Sequence, residues 1–157
     1  MSAPETETES CFIDTNIWLY AFTVGNDPEK TVRAKALIEA QSAIFVSTQV
    51  INEACVNLIK KVHFSEPQVQ QLIESFYAKY VVVEFSKAIL LKASALRGQH
   101  ALSFWDSLIV ASALATNATV LYSEDMQDGL LVENRLRIVN PFKESPQTTP
   151  PSEGGSA

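Results

Sequence analysis

Two hydrophobic rhythms alternate along the chain. Short apolar runs occur at about 10–14, at Ala43–Ser47, Tyr80–Phe85 and Thr119–Tyr122, and at Arg137–Asn140. Runs of this length, bounded by turn residues, predict buried strands. The last of them, stopped by Pro141, is expected at the sheet edge. Longer stretches of helical period lie between. Ile51, Ala54, Cys55, Leu58 and Val62 recur at i, i+3, i+4, i+7 and i+11, one face of a helix over about 48–62 capped by Ser47 or Thr48. Further helices are expected over about 15–23, 28–41, 65–79, 86–98 and 103–117. Pro28 suits the first helical position after the Gly25–Pro28 turn. In that second helix Val32, Ala36, Leu37 and Ile38 form the apolar stripe. Gly98 reads as a C-terminal cap, with Arg97 in the last turn. The sixth helix, with Leu108, Ile109, Ala111, Leu114 and Ala115, is apolar nearly all round and must be buried.

Strand, helix, helix, repeated, predicts one α/β domain over 10–143. Its central sheet is mostly parallel, of about five strands, with helices on both faces. The Glu/Thr segment 1–9 and the Pro/Ser/Thr/Gly segment 144–157 are expected to be disordered. The 157 residues, 46% hydrophobic and 19% charged, suit a single globular core. No apolar run approaches the roughly 18 residues of a membrane span, and the acidic N-terminus lacks the pattern of a signal peptide. A cytoplasmic location is therefore expected, with Cys11 and Cys55 as reduced packing residues. They are too few, even with two histidines, for a zinc site. His63, without a partner in sequence, is expected to be structural or exposed. The net charge of −6 is unusual for a nucleic-acid binder. Five of the acids, Glu5, Glu7, Glu9, Glu144 and Glu153, lie in the terminal segments, so the body is close to neutral.

The remaining acids fall at telling places. Asp14 ends the first strand, where α/β sheets bind ligands. An unpaired carboxylate there cannot enter the core, since its desolvation costs several kcal/mol. A helix N-cap is its ordinary role. Glu53 lies on the polar face of the third helix, with Asn57 and Lys60 following; a solvated face is the ordinary reading. Asp106 falls three residues after Ser103, close to a capping box. Asp125 follows the fourth strand within Ser123–Gly129, where three carboxylates in six residues repel one another unless a cation is present. If the first and fourth strands are central neighbours, Asp14, Glu53, Asp106 and Asp125 converge on one crevice. Four carboxylates sharing a site call for divalent cations, and Mg²⁺ or Mn²⁺ suits oxygen ligands. Such ions activate water and stabilise the leaving oxygen of a phosphodiester. A phosphatase of the haloacid dehalogenase kind needs a second Asp where Asn16 stands. A dinucleotide-binding turn needs glycines that Asp14–Trp18 lacks.

The segments FIDTNIWLYAF, INEACVNLI, SFWDSLIVASA and LYSEDMQDG, taken in order, resemble a PIN domain, in particular the VapC-type ribonuclease toxins of toxin–antitoxin pairs. The resemblance covers about residues 11–140. It implies a Mg²⁺- or Mn²⁺-dependent endoribonuclease, often a homodimer, neutralised by a small antitoxin. It matches Asp14, Glu53, Asp106 and Asp125 to the family's metal-holding acids. Asp128 could take the place of Asp125, though Ser123-x-Asp125 fits the motif. Asn16, Ser123 and Asp128 are then expected to orient the carboxylates from behind. Lys60, Arg97 and His100 are candidates to meet the RNA backbone, from a tRNA or ribosomal RNA. The competing expectation is a binding module whose acids serve only as caps and turn formers.

Overall fold

The computed structural model describes residues 9–23, 25 and 27–143. The expected disordered segments 1–9 and 144–157 lie, Glu9 aside, outside the described residues, as does Asn26 of the expected turn. The chain runs β1 (Ser10–Ile13), α1 (Thr15–Phe22), α2 (Pro28–Ala40), β2 (Ala43–Ser47), α3 (Thr48–Val62) and α4 (Glu66–Lys79). It continues with β3 (Val81–Val83), α5 (Lys87–Gln99), α6 (Phe104–Leu114), β4 (Val120–Tyr122), β5 (Leu131–Val132) and β6 (Leu136–Val139).

Among the described residues, six strands form one sheet in the order β3-β2-β1-β4-β6-β5. All pairings are parallel except β5 with β6. From β1 the chain steps outward through β2 to β3, then returns to place β4 on the other side of β1. Right-handed crossovers therefore put α1–α4 on one face and α5 and α6 on the other. The helix contacts agree: α1 packs on α2 and α3, α3 on α4, and α5 on α6. The reversal of direction leaves a crevice at the carboxyl ends of β1 and β4.

β1 lies between two strands and two helical layers, so Cys11, Phe12 and Ile13 are all buried without alternation. Trp18 anchors the α1 side, its indole N–H donating to the Ile13 carbonyl (3.1 Å) and its ring meeting Phe76 and Tyr80 at 5.0 and 4.9 Å. In α6 every residue from Ser107 to Ala113 is buried, as the all-round apolar pattern requires.

Several boundaries and faces differ from expectation. Arg137–Asn140 does not supply the edge. β6 lies between β4 and β5, and two-residue β5 is the antiparallel edge. Their turn holds Glu133 and Asn134 at φ 51° and 53°, with Arg135 N–H donating to the Val132 carbonyl at 3.1 Å. Two consecutive left-handed residues make a hairpin turn of the I′ kind. Gly98 does not cap α5. It lies in the last turn, and His100 caps instead, donating its N–H to Leu96. The sixth helix stops at Leu114 rather than Asn117, and the Arg135 guanidinium takes the freed carbonyls of Leu114 and Thr116 at 2.6 and 2.7 Å. In α3 the expected face is buried through Leu58, but Val62 in the last turn is 44% exposed. In α2 the expected stripe holds at Leu37 and Ile38, which pack against the core, but Thr31 and Ala34 complete the buried face while Ala36 is exposed and Val32 is 66% exposed. Its first turns also contact the far end of the chain, where Lys30 pairs with Glu124 and Arg33 donates to the Phe142 carbonyl at 3.2 Å. His63 is exposed and ends α3 in the left-handed region at φ 56°.

Candidate active site

Sheet register builds the site. Ile13 pairs with Tyr122, so the residues leaving β1 and β4, Asp14 and Ser123, emerge side by side. The Asp14 N–H donates to the Tyr122 carbonyl at 3.0 Å. Asp14 is the N-cap of α1, its Oδ1 accepting from Thr15 N–H at 2.7 Å. Capping uses only that oxygen. Oδ2 accepts from the fully buried Ser123 hydroxyl at 2.9 Å. Glu53 comes from the second turn of α3. Its Oε2 accepts from the Thr15 hydroxyl at 2.6 Å and its Oε1 from the Gln49 amide at 3.1 Å. Asp106 sits in the first turn of α6, where the Ser103 hydroxyl accepts from its N–H at 3.1 Å. Asp125 is exposed just beyond β4, and its Oδ2 accepts from the Asn16 amide at 2.6 Å.

The four acids act on one another. Burial pushes the Asp14 carboxyl up to about 6. The Thr15 N–H and Ser123 hydroxyl pull the other way, and the charges of Glu53 and Asp106 raise it further. Asp106 is also raised, first by burial and then by the charges of Asp125 and Glu53, against the Ser103 hydroxyl. Among the described residues, no three His, Cys, Asp or Glu side chains are gathered closely enough to ligate one ion as they stand. Each of Asp14, Glu53 and Asp125 is held by uncharged hydroxyl or amide donors instead. As a donor set, carboxylates that repel one another and are held only by neutral groups suit a hard divalent cation.

The other expected residues divide. Asn16 and Ser123 touch Asp125 and Asp14 directly. Asp128 is engaged elsewhere, accepting from Asn140 N–H at 2.9 Å and facing the Lys143 ammonium at 3.9 Å. Glu124 pairs with Lys30 and accepts from the Tyr20 hydroxyl. The expected repulsion within Ser123–Gly129 is thus relieved in part by two lysines. His100 lines a small cavity of about 130 Å³ with Asp106 and Asp125. Lys60 and Arg97 are exposed on α3 and α5. Two residues carry no obvious sequence signal. Gln49 is readable only as the i−4 neighbour of Glu53, and Lys30 only as a basic residue on a helix.

Comparison with known proteins adds three findings. The PIN domain family model matches residues 11–128. Among curated proteins, none matches. Solved structures do. A toxin–antitoxin complex from Klebsiella pneumoniae superposes with a TM-score of 0.65 at 21% identity, over 85% of this chain and 99% of that one. VapC20 from Mycobacterium tuberculosis, described as a Sarcin-Ricin loop cleaving toxin, gives 0.62 at 18% identity, over 73% and 89%. VapBC2 from Rickettsia felis, bound to a DNA fragment from its promoter, gives 0.57 at 21%, over 83% and 99%. At these identities the likeness is one of fold.

Proposed function

The chain belongs to the PIN domain family, and from that premise we propose that it is a divalent-metal-dependent endoribonuclease, the toxin of a toxin–antitoxin pair. The observation that carries the reading is the convergence of Asp14, Glu53, Asp106 and Asp125, from four separate elements, on the sheet's reversal point. There burial raises both Asp14 and Asp106, and the charge of Glu53 raises each further.

Asp14, Glu53 and Asp106 would hold Mg²⁺ or Mn²⁺, with Asp125 completing that site or holding a second ion. When bound, the ion supplies Lewis-acid activation of water and charge stabilisation at a phosphodiester. The protein's own part is orientation: Thr15 and Gln49 hold Glu53, Ser123 holds Asp14, and Asn16 holds Asp125. His100 shares the cavity of Asp106 and Asp125, within reach of a bound backbone. Exposed Phe104 and Trp105 precede Asp106 and offer faces on which unpaired bases stack. Lys60 and Arg97 would add longer-range attraction for phosphates.

The toxin–antitoxin origin of similar folds supports a small antitoxin as partner, and a homodimer is the assembly the family implies. Among the described residues, no helix is long and apolar enough to cross a membrane; a cytoplasmic site of action would place the protein with its RNA. The test is cleavage of a mixed tRNA and ribosomal RNA pool, with Mg²⁺ or with EDTA, by the wild type and Asp14→Asn. Discrete cuts that need the metal and vanish in the variant are expected. A folded, metal-loaded, antitoxin-free wild type that cuts nothing would favour the binding-module reading.

A further inference from the structure

Gln49 is 5% exposed in the first turn of α3. Its amide nitrogen donates twice, to Glu53 Oε1 at 3.1 Å and to the Trp105 carbonyl at 3.3 Å. The first partner is a site carboxylate, one turn along the same helix. The second belongs to the opening turn of α6, one residue before Asp106. One amide therefore ties together the two helices that deliver Glu53 and Asp106. Its orientation is set by its partners, since reversal would press the amide oxygen against a carboxylate and a carbonyl, both acceptors.

This arrangement has a cost on the other side of the group. Gln49 Oε1 is buried with no hydrogen-bond partner. A buried acceptor without a donor is destabilising, and an apolar side chain of the same length would avoid it. Against that cost stand the two donated bonds, whose acceptors on α3 and α6 would lose this donor if the amide were removed.

We propose that Gln49 is a positioning residue. It fixes Glu53 relative to the α6 turn and so sets the spacing of the Glu53 and Asp106 carboxylates across which a divalent cation is held. This rests on the metal-dependent reading above, and it names a residue on which the cation's affinity depends without touching the cation.

The test uses the full chain and Mn²⁺ as the probe. Wild type, Gln49→Met and Gln49→Leu are compared by thermal melting of the apo protein and by Mn²⁺ titration followed calorimetrically or by electron paramagnetic resonance. A modest fall in melting temperature with Mn²⁺ bound at least tenfold more weakly is expected. Unchanged Mn²⁺ affinity in both variants would overturn the inference while leaving the metal site standing. Loss of folding in both would also overturn it, making Gln49 a structural bridge only. A wild type that binds no Mn²⁺ would remove the metal site and the inference together.

Discussion

Burial raises the Asp14 carboxyl from 3.8 to about 6. Between those values the folded chain holds a proton that the unfolded chain has already released. The contribution of this group to stability is therefore complete below pH 3.8 and is lost as pH rises through 6, amounting to about 3 kcal/mol for a shift of roughly two units. Asp106, raised in the same direction, adds to the same slope. Urea titrations in EDTA should show stability falling from pH 4 to pH 7. Asp14→Asn should flatten that fall and exceed the wild type by about 1–3 kcal/mol at pH 7, while losing RNA cleavage. Asn caps a helix about as well as Asp, so a loss of stability at pH 7 would instead reveal a structural carboxylate. Strand ends and helix starts made Asp14, Asp106 and Asp125 readable as candidates from the chain alone. Glu53 was weaker, one acid on a polar helical face. Gln49 was not readable, because its meaning depends on a carbonyl 56 residues away.

Elements whose identity rests on apolar period were predicted well, and those whose identity rests on single contacts were not. The buried runs of β1, β2 and β4 and the all-round apolar α6 follow from composition. The β5–β6 hairpin does not, since its turn is Glu-Asn where this geometry favours Asn-Gly or Asp-Gly. β5 itself is two residues long. Likewise the stripe of α2 was right at Leu37 and Ile38 but not at Val32, near which Lys30 and Arg33 reach partners more than ninety residues away. Two substitutions probe these local solutions. His63→Gly relieves a left-handed backbone at the end of α3 and should stabilise by about 0.5–1 kcal/mol, after the entropy glycine adds to the unfolded chain. Arg135→Ala strips donors from the Leu114 carbonyl at the end of α6 and the Thr116 carbonyl just beyond it and should cost about 1–2 kcal/mol. Equilibrium denaturation measures both, and no change in the second would show that water replaces the guanidinium.

At the scale of the molecule, carboxylates that oppose one another without a cation should be relieved by one. Any ion that binds only the folded state stabilises it by mass action, about 2.7 kcal/mol at a hundred times its dissociation constant. Mg²⁺ or Mn²⁺ should therefore raise the melting temperature of the wild type at pH 7, and much less that of Asp14→Asn. RNA binding should weaken steeply with salt if lysines and arginines meet the backbone. The sheet order was only partly implied by the chain. Neighbouring β1 and β4 was a condition for convergence, and the structure meets it. That adjacency also sets a timetable. β1 is made well before its neighbour β4, and the Ser123 hydroxyl that holds Asp14 is 109 residues downstream. Until that late strand emerges and inserts beside the first, the acids stand on unconnected pieces. A chain in which β4 is still unmade would then lack the assembled cluster of acids.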